Sequence, residues 1–212
     1  SSQDTMDRLK GHSAIGHNRY STTGTTILRN VQPLFAEFDF GGLAMAHNGN
    51  LTNGLTLRRQ LVKNGAIFHS TTDTEVINHL IANSPGIPMP QRVSSRHAPE
   101  VARIVDALSQ VKGAYSMIAL TRNFLLGARD PYGVRPLVLG NLDGSTILAS
   151  ETCALDLVEA DFVRDVEPGE IVVIDSHGLS SFHPFPTERT RACIFEYLYF
   201  ARPDSRLWSE DV

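Results

Sequence analysis

A chain of 212 residues with 42% hydrophobic and 20% charged side chains can bury a full core and is ordinary for a globular protein. A net charge of −4, with no Lys/Arg cluster, argues against phosphate-backbone binding, so no nucleic-acid partner is expected. Apolar runs such as Met117 to Leu120 are too short to span a bilayer and Ser1 to Lys10 has no apolar signal core, so no membrane role is expected.

In chain order, the first predicted helix runs from Thr52 to Lys63. It carries Leu55, Leu57, Leu61 and Val62 and stops at Asn64-Gly65, a plausible C-cap. The second, Thr74 to Ala82, follows Thr72-Asp73-Thr74-Glu75, the Thr-x-x-Glu spacing of a capping box. From Asn83 to Pro99 the residues Pro85, Gly86, Pro88 and Pro90 break any periodic pattern. Pro99 then suits the first turn of a third helix, with Val101, Ile104, Val105 and Leu108 as its apolar stripe.

From Gly113 the pattern changes to short strands joined by tight turns. Tyr115 to Leu120 and Phe124 to Ala128 flank Arg122-Asn123. Leu137 to Gly140 and Thr146 to Ala149 flank Asp143-Gly144, and Phe162 to Val166 and Glu170 to Asp175 flank Pro168-Gly169. Successive hairpins with few, segregated helices predict an α+β fold of antiparallel sheets, layered as a sandwich with helices outside. Cys153 and Cys193 form no CxxC pair and fit free thiols of a cytoplasmic protein. The eight histidines show no HExxH spacing, so no metal site is expected in the chain.

Three polar clusters are candidates for chemistry. In the stretch His17-Asn18-Arg19-Tyr20-Ser21-Thr22-Thr23-Gly24, Arg19 is either part of a strand end or a planar fork for a carboxylate. His47-Asn48-Gly49-Asn50 follows an apolar stretch. It reads first as a turn, and alternatively as an oxyanion hole made by the Asn48 carboxamide and the Gly49 backbone N–H. In Ser70-Thr71-Thr72-Asp73-Thr74-Glu75, Asp73 either complements a helix dipole or holds an ammonium group. Together the three describe a site for an α-amino acid whose side-chain carbonyl is attacked.

The succession GHNRYSTTG, NVQPLF, AHNGNLTN and STTDTEV resembles the class II glutamine amidotransferase domain, an N-terminal-nucleophile (Ntn) hydrolase. Glucosamine-6-phosphate synthase and asparagine synthetase carry related domains. The segments GARDPYGVRPL, ASET and CIFEYLYFARPDS are similar instead to the amidophosphoribosyltransferase family, and the last has no explanation in the other two. The likeness runs from about Lys10 to Ser205 in the family's order.

This resemblance implies a four-layer αββα sandwich, incomplete at the N-terminus, over residues 1–205. Residues 206–212 would begin the connection to a phosphoribosyltransferase domain outside the chain. Arg19 would bind the glutamine α-carboxylate with Thr22 nearby, Asp73 the α-ammonium, and Asn48 and Gly49 the oxyanion. Ammonia from glutamine would pass to phosphoribosylpyrophosphate and give 5-phosphoribosylamine in de novo purine biosynthesis. The implied setting is a cytoplasmic homo-oligomer. Magnesium, and in some members an iron–sulfur cluster with one ligand in the segment matching Cys193, would belong to the full-length parent.

Arg129, Asp130 and Arg135 are expected to form buried ion pairs and turn geometry rather than to take part in catalysis. The family's nucleophile is an N-terminal cysteine whose α-amine acts as base. Here the first residue is Ser1, and only eighteen residues precede Arg19. Ser1 is therefore expected to begin a truncated piece, inactive by itself, with Cys193 a buried free thiol. Unpaired strand edges are expected to make it self-associate. The alternative is a non-catalytic glutamine-binding or assembly module of the same fold.

Overall fold

The computed structural model describes residues 3–18, 27–88, 97–186, 188–191, 193–207 and 210–211. After a short helix α1 (Gln3–Arg8) and a 3-10 turn (Leu28–Asn30) come strands β1 (Leu34–Phe38) and β2 (Gly41–Leu51). Helices α2 (Gly54–Lys63), α3 (Thr74–Asn83) and α4 (Ala98–Gln110) follow. Then come β3 (Gly113–Thr121), β4 (Leu125–Arg129), β5 (Val138–Leu142), β6 (Ser145–Ala149) and α5 (Thr152–Leu157). The chain continues through β7 (Asp161–Asp165), β8 (Ile171–Asp175), β9 (Gly178–Phe182) and a π-helical turn (Glu196–Phe200). It ends on β10 (Arg206–Leu207) and β11 (Glu210–Asp211).

Every strand pairing among the described residues is antiparallel. One sheet has six strands in the order β1-β2-β3-β4-β8-β9, a second has three in the order β6-β5-β7, and β10 pairs with β11. The period-2 alternation of side chains sorts the layers. Met117 and Ala119 of β3 and Ile171 and Val173 of β8 pack with Ile77, Ile81, Ile104 and Leu108 of α3 and α4. Their neighbours Ile118, Val172 and Ile174 face the opposite way, onto Leu137, Leu139 and Leu148 of the smaller sheet. Val138 then turns outward to meet Leu155 of α5. The result is helices, six-stranded sheet, three-stranded sheet, helix: the αββα sandwich the resemblance implies.

The first two hairpins form as expected, β3 with β4 and β5 with β6. The third does not. β7 pairs with β5 in the small sheet, whereas β8 pairs with β4 and β9 in the large one. Pro168-Gly169 is thus the point at which the chain changes sheets. The capping box is also absent: Glu75 reaches past Thr72 to accept from the N–H of His69 (2.7 Å) and of Ser70 (2.7 Å). Burial would raise its carboxyl pKa, but these donors outweigh it and hold it below the ordinary value.

Candidate active site

Residues 47 to 50 are not a turn. They continue β2, with Asn48 opposite Ser116 and Gly49 opposite Tyr115 of β3. A side chain at Gly49 has no room, since a Cβ there would lie 2.1 Å from the Ala114 carbonyl oxygen, and the backbone φ is +150°.

The edge of β2 facing β1 outlasts its partner. Pairing with β1 reaches Met45, opposite Leu34. One step further, the Gln32 side chain takes over: the His47 N–H donates to its Oε1 (2.7 Å) and its Nε2 donates to the His47 carbonyl (3.3 Å). Four residues on from His47, the Leu51 N–H donates to Asp73 Oδ2 (2.9 Å). Backbone polar groups of alternate strand residues point to the same edge. Gly49 shares the parity of His47 and Leu51, so its N–H points to this edge, between Gln32 and Asp73. Across the strand, the Asp130 N–H donates to the Tyr115 carbonyl at 2.9 Å. The backbone of Tyr115 thus faces away from Gly49.

Asp73 stands just before α3 but makes no capping bond with its side chain. Its other oxygen lies 3.4 Å from His47 Nδ1. Burial would raise the Asp73 pKa, but His47 and the Leu51 N–H overcome it and hold the carboxyl below its ordinary value. Its loop is anchored by Asn30, fully buried, which accepts from the Thr71 N–H (3.0 Å) and donates to the Thr71 hydroxyl (2.8 Å). Arg58 stacks on Phe68 at 4.0 Å and donates to the Ser70 carbonyl at 2.5 Å.

Asn48, Gly49 and Asp73 line one open cleft of about 1620 Å³, together with Gln32, Thr72 and Arg135. Of the residues proposed from sequence, these three are brought together; Arg19 and Thr22 lie outside the described residues.

Arg129 and Asp130 hold turn geometry, as expected, through bonds to backbone groups rather than through ion pairs. Arg129 is buried and donates to the carbonyls of Arg135, Val166 and Gly133. Burial lowers its pKa against the pull of Asp165, Asp130, Glu196 and Glu170. Asp130 accepts from the N–H groups of Tyr115, Tyr132, Val134 and Arg135, yet burial still raises its carboxyl. Arg135 forms a buried ion pair, as expected, but also reaches the site. Its Nη2 donates to Asn48 Oδ1 at 2.8 Å, its Nη1 pairs with Glu196, and its guanidinium lies 4.9 Å from the centre of the Phe200 ring. Burial pushes the Glu196 carboxyl up to about 7, against the pull of Arg135, with Glu151 adding to the rise.

The ASET and ARPDS segments meet. Glu151 accepts from the Arg202 N–H (2.9 Å) and the Ser205 hydroxyl (2.9 Å), and Thr152 Oγ1 accepts from the Arg206 N–H (2.7 Å). Leu207 is buried, so packing continues past Ser205. Cys153 and Cys193 are free thiols, and Cys193 is half-buried rather than buried. Among the described residues no group of three or more His, Cys, Asp or Glu converges as a metal site, and no helix is long and apolar enough to cross a membrane.

Residues 17–157 match the family model described as a glutamine amidotransferase domain. The chain is similar to an amidophosphoribosyltransferase of Rhizobium etli, 53% identical over 98% of the chain and 41% of that protein. It is similar also to the chloroplastic amidophosphoribosyltransferase of Glycine max, 47% identical over 99% of the chain and 35% of that protein. Among solved structures, glutamine phosphoribosylpyrophosphate amidotransferase from B. subtilis superposes with a TM-score of 0.81 at 39% identity, over 92% of this chain and 40% of that one. The chain thus spans well under half the length of these relatives.

Proposed function

The chain belongs to the glutamine amidotransferase domain family, and from that membership we propose that it binds glutamine for an amidophosphoribosyltransferase. In this reading Asp73 holds the α-ammonium, and Arg19, with Thr22 beside it, holds the α-carboxylate. The Asn48 carboxamide and the Gly49 N–H receive the oxyanion that forms when the side-chain carbonyl is attacked. The observation that carries the proposal is the exposed β2 edge, where the Gly49 N–H lies between Gln32 and an ionised Asp73.

The chemistry needs a thiolate: sulfur adds to the amide carbon, ammonia leaves with a transferred proton, and water then cleaves the thioester to glutamate. Cysteine occurs in this sequence only at 153 and 193, and neither has a free α-amine beside it. We assign no nucleophile to these residues and expect no glutamine hydrolysis by them alone. The ammonia would be delivered to phosphoribosylpyrophosphate by the part of the enzyme that the relatives carry beyond this domain, where magnesium would also be held. We place the protein in the cytoplasm, where free thiols such as Cys153 and Cys193 persist. We further propose self-association through the exposed apolar residues Ile194, Phe195, Leu198 and Tyr199.

Titration calorimetry of the chain with L-glutamine tests the binding reading. Glutamine should bind, Asp73→Ala should abolish the heat, and Asn48→Ala should leave ground-state affinity within about twofold, since the oxyanion exists only later. Absence of heat, or full affinity in Asp73→Ala, would overturn the reading. Binding combined with hydrolysis by these residues alone would overturn the assignment of the nucleophile elsewhere. A non-catalytic binding module shares the first result. It is distinguished by Asn48→Ala having no effect on hydrolysis in the whole enzyme.

A further inference from the structure

An asparagine carboxamide can present either of two opposite faces, and only its NH2 end can donate to an oxyanion. In this site the choice is forced. Arg135 has five N–H donors and no acceptor, so the end of Asn48 that meets it at 2.8 Å must be the carbonyl oxygen. The NH2 end is then left for the cleft that both residues line. Arg135 is itself held from three sides: by the buried Glu196 carboxyl group, by the Phe200 ring at 4.9 Å, and through its backbone by Asp130 and Arg129.

Resting on the proposed oxyanion hole, we infer that Arg135 is a positioning residue that fixes the Asn48 carboxamide with its NH2 group toward the reacting carbonyl, and that Glu196 and Phe200 hold it there. In this role Arg135 acts through Asn48 and not on the substrate itself. Its effect runs through one amide, which it both orients and polarises. Because Glu196 and Phe200 belong to the turn at residues 196–200, the geometry also ties the oxyanion donor to the segment leading to β10, 87 residues separating the two bonded side chains in sequence.

The test uses the whole amidotransferase that carries this domain and a nucleophilic cysteine, with kcat and KM for glutamine hydrolysis measured separately. Arg135→Met should lower kcat about 10- to 100-fold, the scale of a misplaced catalytic group, with KM within about twofold. The double variant Asn48→Ala/Arg135→Met should lose no more than Asn48→Ala alone. Arg135→Lys, which can still donate to the carbonyl oxygen, should recover part of the loss. A wild-type kcat in Arg135→Met overturns the inference, as do losses that multiply with that of Asn48→Ala. If Arg135→Met does not fold, Arg135→Lys decides. A several-fold kcat loss that vanishes in the Asn48→Ala background supports the inference, and an unchanged or multiplying kcat overturns it. An unaltered kcat in Asn48→Ala alone would sink the oxyanion-hole reading and this inference with it. A loss there beside a silent Arg135→Met sinks only the inference.

Discussion

The carboxamide of Gln32 bonds both backbone polar groups of His47, standing where β1 would have continued its ladder. His47 is almost fully buried, so neither group has water as a substitute. Gln32→Ala is expected to destabilise the protein by about 1–3 kcal/mol, the range for leaving a buried donor or acceptor unpaired. The same change should loosen the β2 edge and weaken glutamine binding. Urea unfolding and calorimetry check the two effects. An unaltered midpoint would mean that another group replaces the amide.

Gly49→Ala is expected to be worse than an ordinary loss of a glycine in a strand. The added methyl would meet the Ala114 carbonyl oxygen at 2.1 Å, and that oxygen belongs to backbone that cannot swing aside. Strain of at least about 1–3 kcal/mol should result, with β2 displaced from β3 where Asn48 sits. Thermal unfolding measures the loss. A variant as stable as the parent would show that the two strands separate there at little cost.

Helices α2, α3 and α4 and the first two hairpins were legible because their signals are local. Val101, Ile104, Val105 and Leu108 form a stripe at helical spacing, and Asp143-Gly144 admits positive φ at both residues. Asn48, Gly49 and Asp73 were legible through the family likeness, and the residues alone favoured a turn for the first two. Neither route reached the bonds of Gln32, Asn30 or Arg135. Their bonds join side chains to partners 15, 41 and 87 residues away, and no periodicity encodes such a pairing. The only signal was membership of Asn30 and Gln32 in the NVQPLF motif and of Arg135 in GARDPYGVRPL. The change of sheet at Pro168-Gly169 was hidden for a related reason. A turn pair looks the same whether the strands it joins pair with each other or with different neighbours.

Asp73→Asn separates charge from shape. The Asn carbonyl can still accept from the Leu51 N–H, so the fold should survive with little change in melting temperature. Glutamine affinity should fall at least about tenfold, because a hydrogen bond to a charged group contributes roughly 1.5–3 kcal/mol. The pH dependence has a definite sign. The Asp73 pKa is depressed below its ordinary 3.8, so its stabilisation is present above that value and is lost as pH falls through the lower folded one. Binding should therefore stay flat from about pH 8 to about pH 5 as far as this group is concerned. Titrations at both ends of that range check it, and equal affinity in Asp73→Asn would remove Asp73 from the ammonium site.

Glu196 should give the opposite sign. Its carboxyl titrates at an ordinary 4.5 when unfolded and at about 7 when folded, because burial penalises the carboxylate more than Arg135 rewards it. Between those values the folded protein holds a proton that the unfolded chain has released. Stability from this group is complete below about 4.5 and drains away as pH rises through about 7. Glu196→Gln removes the titration while keeping the shape. Asp130 and Asp165, whose carboxyls burial also raises, are common to both proteins and cancel in a comparison. The unfolding free energy of the parent minus that of Glu196→Gln should therefore decline from about pH 5 to about pH 7 and then level off. A difference that is constant or rises over that interval would show that the Arg135 pair, rather than burial, governs the ionisation of Glu196.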